Sequence, residues 1–172
     1  DYDFCELEPV SLSGSVYHDR NNNGRRDEAE EGLSEVEMSL LGADGQVAAT
    51  TRTDASGAYH FEGRYAGTYH VQQTQPEAWL DGRDTAGTVD GVAVGTAVNP
   101  GDRIEQIHLR WGDQGINYDF GELLPVGISG KVCLSTTSGD CESENLHLEP
   151  LSDVVVELLD QAGQIVQQTV TD

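Results

Sequence analysis

Residues 32–54 read GLSEVEMSLLGADGQVAATTRTD, and this stretch carries the pattern that decides the fold. Apolar Val36, Met38 and Leu40 alternate with polar Glu37 and Ser39. Side chains two positions apart lie on the same face of a β-strand, so the alternation predicts a strand with one buried face. The ADGQ run that follows contains turn-forming residues and bounds the strand.

The same period of two recurs along the chain, and turn sequences such as DASGA and RYAGT separate the runs. Its apolar members are Tyr59 and Phe61, then Tyr69 and Val71, then Ile116, Tyr118 and Phe120, and finally Val154, Val156 and Leu158. Half-buried strands at intervals of about 8–12 residues are typical of a β-sandwich. We therefore predict an all-β fold of tandem immunoglobulin-like β-sandwich repeats.

An internal repeat indicates the domain organisation. Residues 2–10 read YDFCELEPV, and residues 118–126 read YDFGELLPV. The opening stretch at 32–54 is matched by PLSDVVVELLDQAGQIVQQTVTD at 150–172. Self-similarity at a fixed spacing is the signature of a repeat architecture.

The register of the repeat predicts three segments. Residues 1–10 are the terminal strand of a preceding repeat, residues 11–125 are one complete domain, and residues 126–172 are the first part of a following repeat. Only a few residues around Pro9 and Pro125 join the repeats. Because proline restricts its own backbone and that of the residue before it, we expect a semi-rigid rod.

The charge balance excludes one class of partner and suggests another. Thirty-one Asp and Glu residues oppose nine Lys and Arg residues, for a formal net charge of −22. Nucleic-acid phosphates would be repelled. Bound divalent cations would relieve the self-repulsion, whereas the alternative is an acidic surface that is merely solvated. No run of 18 apolar residues is present, so no membrane span is expected.

Residues 19–30, DRNNNGRRDEAE, follow the spacing of an EF-hand calcium loop. The predicted ligands are Asp19, Asn21, Asn23, the Arg25 carbonyl, Asp27 and Glu30. Gly24 allows the sharp turn, and an all-oxygen donor set favours Ca²⁺ over Zn²⁺. The alternative is an Asn/Gly-rich turn that binds nothing. Because the preceding SGSVYHD reads as a strand, we expect a fixed staple rather than a helix-opening sensor.

Four runs together resemble the B-type domain of serine–aspartate repeat surface proteins, a calcium-binding relative of the collagen-adhesin B-type fold. They are GSVYHDRNNNGRRDEAEEGLSEVEMSLL, TDASGAYHFEGRYAGTYHVQQTQPEAW, DGRDTAG and GINYDFGELLP, all within residues 11–125. The resemblance implies an immunoglobulin-like sandwich. It also implies calcium-rigidified extracellular stalks that hold an adhesive or catalytic head away from a bacterial cell.

Some relatives in this family carry a lysine isopeptide cross-link. Residues 11–125 contain no lysine, and Ser15 lies where the following repeat has Lys131, so this cross-link is excluded from the complete repeat. The following repeat has LSTTSGDCESENLHLEP in place of the acidic loop. There we predict no calcium site, and a Cys133–Cys141 disulfide as a candidate replacement that leaves Cys5 over.

Asp81 and Asp84, in WLDGRDTAG, are candidates for a second calcium site, with Asp90 or Asp54 as possible helpers. The family resemblance raises this expectation. The alternative is a solvated loop in which Gly82 and Gly87 form turns.

The sequence contains no Ser–His–Asp, Cys–His or phosphate-loop arrangement, so we predict no enzyme. Trp79 and Trp111 are expected in the core. The leading interpretation is a calcium-stiffened structural repeat of a surface stalk or fibre, partnered by neighbouring repeats. The alternative is an adhesive module that contacts a host protein, matrix component or glycan.

Overall fold

The computed structural model describes residues 4–134 and 149–172, which fall into two compact units, Asp1–Pro125 and Val126–Asp172. The strands of the first unit are β1 (Val10–His18), β2 (Glu37–Gly42), β3 (Val47–Arg52), β4 (Ala58–Arg64), β5 (Gly67–Gln73), β6 (Leu80–Asp81), β7 (Thr88–Val89), β8 (Val92–Ala93), β9 (Thr96–Val98), β10 (Arg103–Leu109), β11 (Gln114–Ile116) and β12 (Phe120–Leu123). The second unit contains β13 (Val155–Leu159) and β14 (Ile165–Val170).

The first unit is a sandwich of two sheets. One sheet has the order β6-β12-β1-β11-β7-β8, with β4 also paired to β1, and the other has the order β3-β2-β5-β10-β9. The core between them draws Leu12, Phe61 and Phe120 from the first sheet and Met38 and Ile104 from the second. The predicted all-β immunoglobulin-like sandwich is confirmed, and no helix occurs in the described part of the chain.

Parallel pairing of β1 with β12 positions the candidate site. Val16 pairs with Phe120 and His18 pairs with Glu122, so the two strands end together. The loop at 19–30 therefore begins beside the last residues of β12. Residues far apart in the sequence meet at this end of the sandwich because a parallel pair aligns carboxyl ends.

The β13–β14 hairpin of the second unit reproduces the β2–β3 hairpin of the first. Glu37 pairs with Arg52 in one, and Val155 pairs with Val170 in the other, 118 positions later. Both ladders shift register at the equivalent place, after Leu40 and after Leu158. The sequence repeat thus corresponds to a repeated structural element.

Burial agrees with the predicted alternation in most of the strands. The exceptions are Ile116 in the first unit and Val156 and Leu158 in the second. Met38 and Leu40 are buried, as are Tyr59, Phe61, Tyr118 and Phe120. Ile116 is 46% exposed, because Gly115 is the buried residue of β11 and the left-handed backbone of Asn117, with φ of 61°, breaks the alternation before Tyr118. Val156 and Leu158 are each 41% exposed, since the described part of the second unit forms a two-stranded sheet without a facing layer.

Residues 4–9 belong to no strand and are exposed, and Val10 begins β1. Phe4 is 90% exposed, whereas the equivalent Phe120 is fully buried. The assignment of residues 1–10 to a preceding repeat stays a prediction. None of the described residues forms a helix that is long and apolar enough to cross a membrane.

Candidate cation sites

The predicted cation loop, residues 19–30, leaves the end of β1 and returns to the same strand. The His18 N–H donates to the Glu31 carbonyl at 2.9 Å, and the Leu33 N–H donates to the Val16 carbonyl at 2.8 Å. Tyr17 and Gly32 form an antiparallel bridge beside these bonds. The loop is therefore closed at its base on a core strand.

Side chains in the first half of the loop fold the backbone around themselves. Asp19 is fully buried, and its carboxylate accepts from the N–H of Asn23 at 3.1 Å and of Gly24 at 2.7 Å. The side-chain oxygen of Asn21 accepts from Asn23 N–H at 3.0 Å, and that of Asn23 accepts from Arg25 N–H at 2.7 Å. These are local Asx turns, and Gly24 supplies the left-handed backbone they need, with φ of 75°.

The second half of the loop is held by Glu30 and Asp27. The Glu30 side chain is buried, and its two oxygens accept from the N–H groups of Arg20 and Asp27, each at 2.9 Å. Asp27 Oδ2 accepts from the side-chain nitrogens of Asn21 at 2.9 Å and Asn23 at 3.2 Å. The structure thus brings three predicted ligands into direct contact, with two more carboxylates bonded to the same loop backbone.

The loop contains oxygen atoms of the kind that bind calcium, but these oxygens accept hydrogen bonds from the loop's own N–H groups. In the described part of the chain, no group of three or more His, Cys, Asp or Glu side chains is arranged as a metal-ligand set. The amide nitrogens of Asn21 and Asn23 face Asp27, so a bound cation requires both amides to turn their oxygens toward it. Three carboxylates and two amides form an all-oxygen set, which suits Ca²⁺.

A second group of carboxylates lies next to this loop. Asp81 Oδ2 accepts from Gly101 N–H at 2.7 Å, while Asp81 Oδ1 is buried without a hydrogen-bond partner. Asp84 is 3% exposed, and its Oδ2 is likewise buried and unpartnered. Asn99 holds the backbone of Asp84 in place with bonds of 2.7 and 3.0 Å. Each of the two predicted ligands, Asp81 and Asp84, thus has one carboxylate oxygen that is buried without a partner.

Two further acids complete this group, which we call the acidic cluster: Asp81, Asp84, Asp102 and Glu122. Burial, reinforced by the charges of Asp81, Asp102 and Glu122, raises the pKa of Asp84 to about 9. Burial also raises the pKa of Glu122 to about 7 and raises the pKa of Asp102. No basic side chain is among the groups that act on these three pKa values.

Glutamine side chains line the acidic cluster. The Gln73 and Gln75 amides both donate to the Glu122 carboxylate, the second at 2.5 Å, and Gln73 also donates to Asp102 at 3.3 Å. The carbonyl oxygens of the same two amides are buried without partners. Carboxylates removed from water without a counter-charge are costly, yet these four acids are not arranged as a metal-ligand set either.

Asp102 and Glu122 were not predicted from the sequence. One signal was available for Glu122, because it continues the alternation of Tyr118 and Phe120 into a buried position. Asp54 does not join the cluster. Its carboxylate accepts from Ser56 and Ala58 in an exposed turn, and the hydrogen bonds from Ser56 lower its pKa. Asp90 lies in the exposed turn between β7 and β8.

The loop and the acidic cluster form one continuous region. Thr85 Oγ1 donates to the Gly24 carbonyl at 2.5 Å, so the segment after Asp84 is bonded to the tip of the loop. The Tyr17 hydroxyl is buried between them without a partner. Burial and the nearby charges of Asp19 and Asp119 raise the pKa of Tyr17.

Ser15, which replaces the lysine of the following repeat, bonds directly to Asp119. Both its N–H and its hydroxyl donate to Asp119 Oδ1 at 2.8 Å. Burial raises the pKa of Asp119, whereas the bonds from Ser15 lower it. Ser15 thus makes a non-covalent link between β1 and the segment before β12.

The second unit has an equivalent loop base. Cys133 pairs with Pro150 as Tyr17 pairs with Gly32, and Leu134 N–H donates to the Glu149 carbonyl at 3.2 Å. Cys133 is disulfide-bonded, but Cys141 lies outside the described residues, so their pairing stays a prediction. The same holds for the predicted lack of a calcium site in this loop. Cys5 is exposed and carries a free thiol.

The two tryptophans differ in environment. Trp79 packs against the core, and its ring makes an edge contact with His18 at 5.1 Å. The prediction of a core position is wrong for Trp111, which is 41% exposed. Trp111 lies in the turn between β10 and β11, beyond the end of the core, and contacts the ring of Tyr65 at 5.9 Å.

Comparison with known proteins identifies relatives of the chain. Residues 10–122 match the family model of the SdrD B-like domain. Serine-aspartate repeat-containing protein F of Staphylococcus epidermidis is 29% identical over 167 residues, which cover 94% of this chain and 10% of that protein. Serine-aspartate repeat-containing protein D of Staphylococcus aureus (strain Newman) is 34% identical over 92 residues, covering 54% and 7%. The chain thus spans at most about a tenth of the length of these relatives.

Among solved structures, the Bacillus anthracis TIE protein aligns with a TM-score of 0.43 and 16% identity. The alignment covers 96% of this chain and 25% of that chain.

Proposed function

The chain belongs to the SdrD B-like domain family of extracellular, cell-surface proteins, and on that premise we propose that residues 11–125 are a calcium-stiffened structural repeat of a bacterial surface stalk or fibre. In this proposal, residues 1–10 and 126–172 belong to the neighbouring repeats. The domain holds other parts of the protein away from the cell and does no catalysis.

One observation carries the proposal: a buried acidic cluster without a basic partner lies beside a loop with calcium-loop spacing. Asp84 and Glu122 are almost fully buried, and burial raises both pKa values. In a chain with a net charge of −22, such carboxylates favour a bound cation or a proton over the bare anion. Oxygen donors in this number favour Ca²⁺.

The origin of the donors explains how a cation would stiffen the fold. Glu122 lies on β12 and Asp81 on β6, both in the first sheet. Gln73 ends β5, and Asp102 directly precedes β10, both in the second sheet. Calcium supplies positive charge between these oxygens when it is bound. The residues then tie the two sheets together at one end and hold the loop against them.

A second candidate function is an adhesive module for a host protein, matrix component or glycan. It is favoured by one observation, the exposed aromatic pair Tyr65 and Trp111, because exposed aromatic side chains are typical of recognition surfaces. The pair lies at the end of the sandwich away from the acidic cluster. Adhesion through this pair and calcium binding at the acidic cluster are therefore independent of each other.

Thermal unfolding of the whole chain with calcium and with chelator tests the proposal. Ligand binding to the folded state alone stabilises it by about 2.7 kcal/mol at 100 times Kd, which corresponds to a rise in Tm on the order of 10 °C. An equal Tm in both conditions would contradict calcium binding. Magnesium at the same concentration is the control for ionic strength.

A matched pair of variants assigns the effect to the loop. Glu30→Gln removes a buried charge and keeps one of the two oxygens that accept from the Arg20 and Asp27 N–H groups. Glu31→Gln removes a neighbouring charge whose side chain is 79% exposed. We expect E30Q to lose part of the calcium-induced rise and E31Q to keep all of it.

A further inference from the structure

The aromatic pair Tyr65 and Trp111 is exposed, yet the backbone beneath it is fixed. Tyr65 is 78% exposed and Trp111 is 41% exposed. The Tyr69 hydroxyl donates to the Tyr65 carbonyl at 2.8 Å. The turn that carries Trp111 is closed by Asp113 N–H to the Arg110 carbonyl at 3.0 Å, and by Arg110 N–H to Asp113 Oδ2 at 2.7 Å. A preformed aromatic surface loses little entropy on binding.

This pair lies at the end of the first unit where β1 begins. Val10, the first residue of β1, pairs with Arg64, the neighbour of Tyr65. The Gly112 N–H, next to Trp111, donates to the Glu8 carbonyl at 3.0 Å. The chain that precedes β1 therefore runs directly beside the aromatic pair.

The preceding residues carry the sequence of a last strand. Phe4–Leu7 are equivalent to Phe120–Leu123, which form β12, at the spacing of the internal repeat. Only Glu8 and Pro9 separate this segment from β1. Three Cα steps span at most about 11 Å. The end of any repeat that contains residues 4–7 must therefore lie against the aromatic pair.

The first unit shows what such an end presents. Its last strand finishes at Leu123, which pairs with Leu80 at the end of the sandwich near the acidic cluster. Leu80 is 53% exposed and Leu124 is 50% exposed. This end of the first unit thus carries exposed aliphatic side chains, whereas the opposite end carries aromatic ones.

We propose that the Tyr65–Trp111 end of one repeat docks onto the Leu80–Leu124 end of another repeat of the same fold. The inference rests on the proposed function as a stalk repeat and names the contact between its repeats. The two surfaces differ, so the interface is heterologous and joins repeats head to tail in one direction. Tryptophan and tyrosine at its centre supply the contact area on which such interfaces depend.

Sedimentation velocity on the full chain tests this docking. Repeats joined by a short linker experience an effective concentration in the millimolar range, so the contact must also form between free chains near about 1 mM. We expect head-to-tail oligomers there, and at least about tenfold weaker association for the double variant Y65A/W111A. Val92→Ala, at a 67% exposed position on β8, is the matched control and should associate normally.

Mixing two defective variants gives the decisive result. Y65A/W111A retains the aliphatic end, and L80S/L124S retains the aromatic end. Each alone should remain monomeric, whereas the mixture should form one-to-one dimers and nothing longer. Monomers at every concentration, or no dimers in the mixture, would overturn the docking and leave the aromatic pair to a host protein or glycan. An intact calcium-dependent rise in Tm in the same samples shows that only the docking has failed.

Discussion

The backbone N–H of Asp19 donates to the backbone carbonyl of Glu122 at 2.9 Å. This bond joins the first residue of the candidate calcium loop to a buried member of the acidic cluster, 103 positions later in the chain. The two candidate sites are therefore mechanically coupled through β1 and β12. A change that loosens one of them is expected to affect the other.

Asp84→Asn should change the stability in opposite directions with and without calcium. With chelator, the variant removes the cost of protonating or burying this carboxyl group, whose Oδ2 has no partner, so we expect a gain of about 1–3 kcal/mol in the free energy of unfolding. With calcium, it removes a ligand, so we expect a loss of similar size. Urea unfolding in both buffers measures the two signs.

Asp90→Asn, in an exposed turn, is the control for the change in net charge. It should shift stability by less than about 0.5 kcal/mol in both buffers. An effect of D84N with the same sign in both buffers would contradict a cation site at the acidic cluster.

The calcium-free chain should lose stability as the pH rises. Burial raises the pKa of Glu122 to about 7 and that of Asp84 to about 9, both above the ordinary carboxyl range near pH 4. The folded state therefore holds more protons than the unfolded chain between these limits. The stability that these bound protons contribute is complete below about pH 4. It is lost as the pH rises through the folded-state pKa values of Glu122 and Asp84.

Thermal melts in chelator between pH 5 and pH 9 measure this slope. Glu122→Gln should flatten it around pH 7, because glutamine does not titrate. Calcium affinity should rise over the same range, since the ion competes with protons for the carboxylates. A wild-type Tm that increases with pH in chelator would contradict this prediction, because the carboxylates of the cluster would then already be ionised in the folded chain.

Gly24→Ala and Gly45→Ala separate backbone strain from close packing. Both glycines have a left-handed backbone, with φ of 75° and 77°. A Cβ at position 24 would lie 2.7 Å from Arg83 Cδ, whereas a Cβ at position 45 has no neighbour within 4 Å. We expect G45A to lose about 1 kcal/mol and G24A to lose about 1–3 kcal/mol more.

Only G24A should also weaken calcium binding, because the loop tip must move away from the segment around Arg83. Isothermal titration of both variants checks this difference. Equal losses of stability and of calcium affinity in G24A and G45A would show that the contact between the loop tip and the segment around Arg83 contributes to neither.

Ser15→Ala should destabilise the domain more than Ser13→Ala. The Ser15 hydroxyl donates to the Asp119 carboxylate at 2.8 Å, whereas the Ser13 hydroxyl donates to the Gly115 carbonyl at 3.4 Å. Hydrogen bonds to charged groups contribute about 1.5–3 kcal/mol, and long neutral bonds contribute less than about 1 kcal/mol. Denaturant unfolding at constant pH gives both values, and equal losses would contradict a structural role for the Ser15–Asp119 link.

The parts of the candidate site that could be predicted are local in the chain. The loop folds through bonds that span two to ten positions, such as Asn21 to Asn23 and Arg20 to Glu30, so its spacing alone indicates its shape. The strand pattern around Met38 and Leu40 is equally local, because alternation along one strand decides which side chains are buried.

The acidic cluster was only half predicted, because its members come from three separate stretches of the chain. Asp81 and Asp84 stand in one short motif, whereas Asp102 and Glu122 reach them only through the sheet pairing. The exposure of Trp111 was likewise beyond sequence reasoning, because its apolar ring says nothing about where the core ends.

The sequence by itself determined the all-β class, the repeat register and the coil of residues 19–30, since each depends on periodicity or on contacts between near neighbours. The tertiary structure alone decided that Glu122 and Asp102 stand beside Asp84, and that Tyr65 and Trp111 share an exposed end. Those placements depend on the parallel pairing of β1 with β12 and on the packing of two sheets. Such long-range contacts are selected by the burial of the whole core, which no short stretch of sequence specifies.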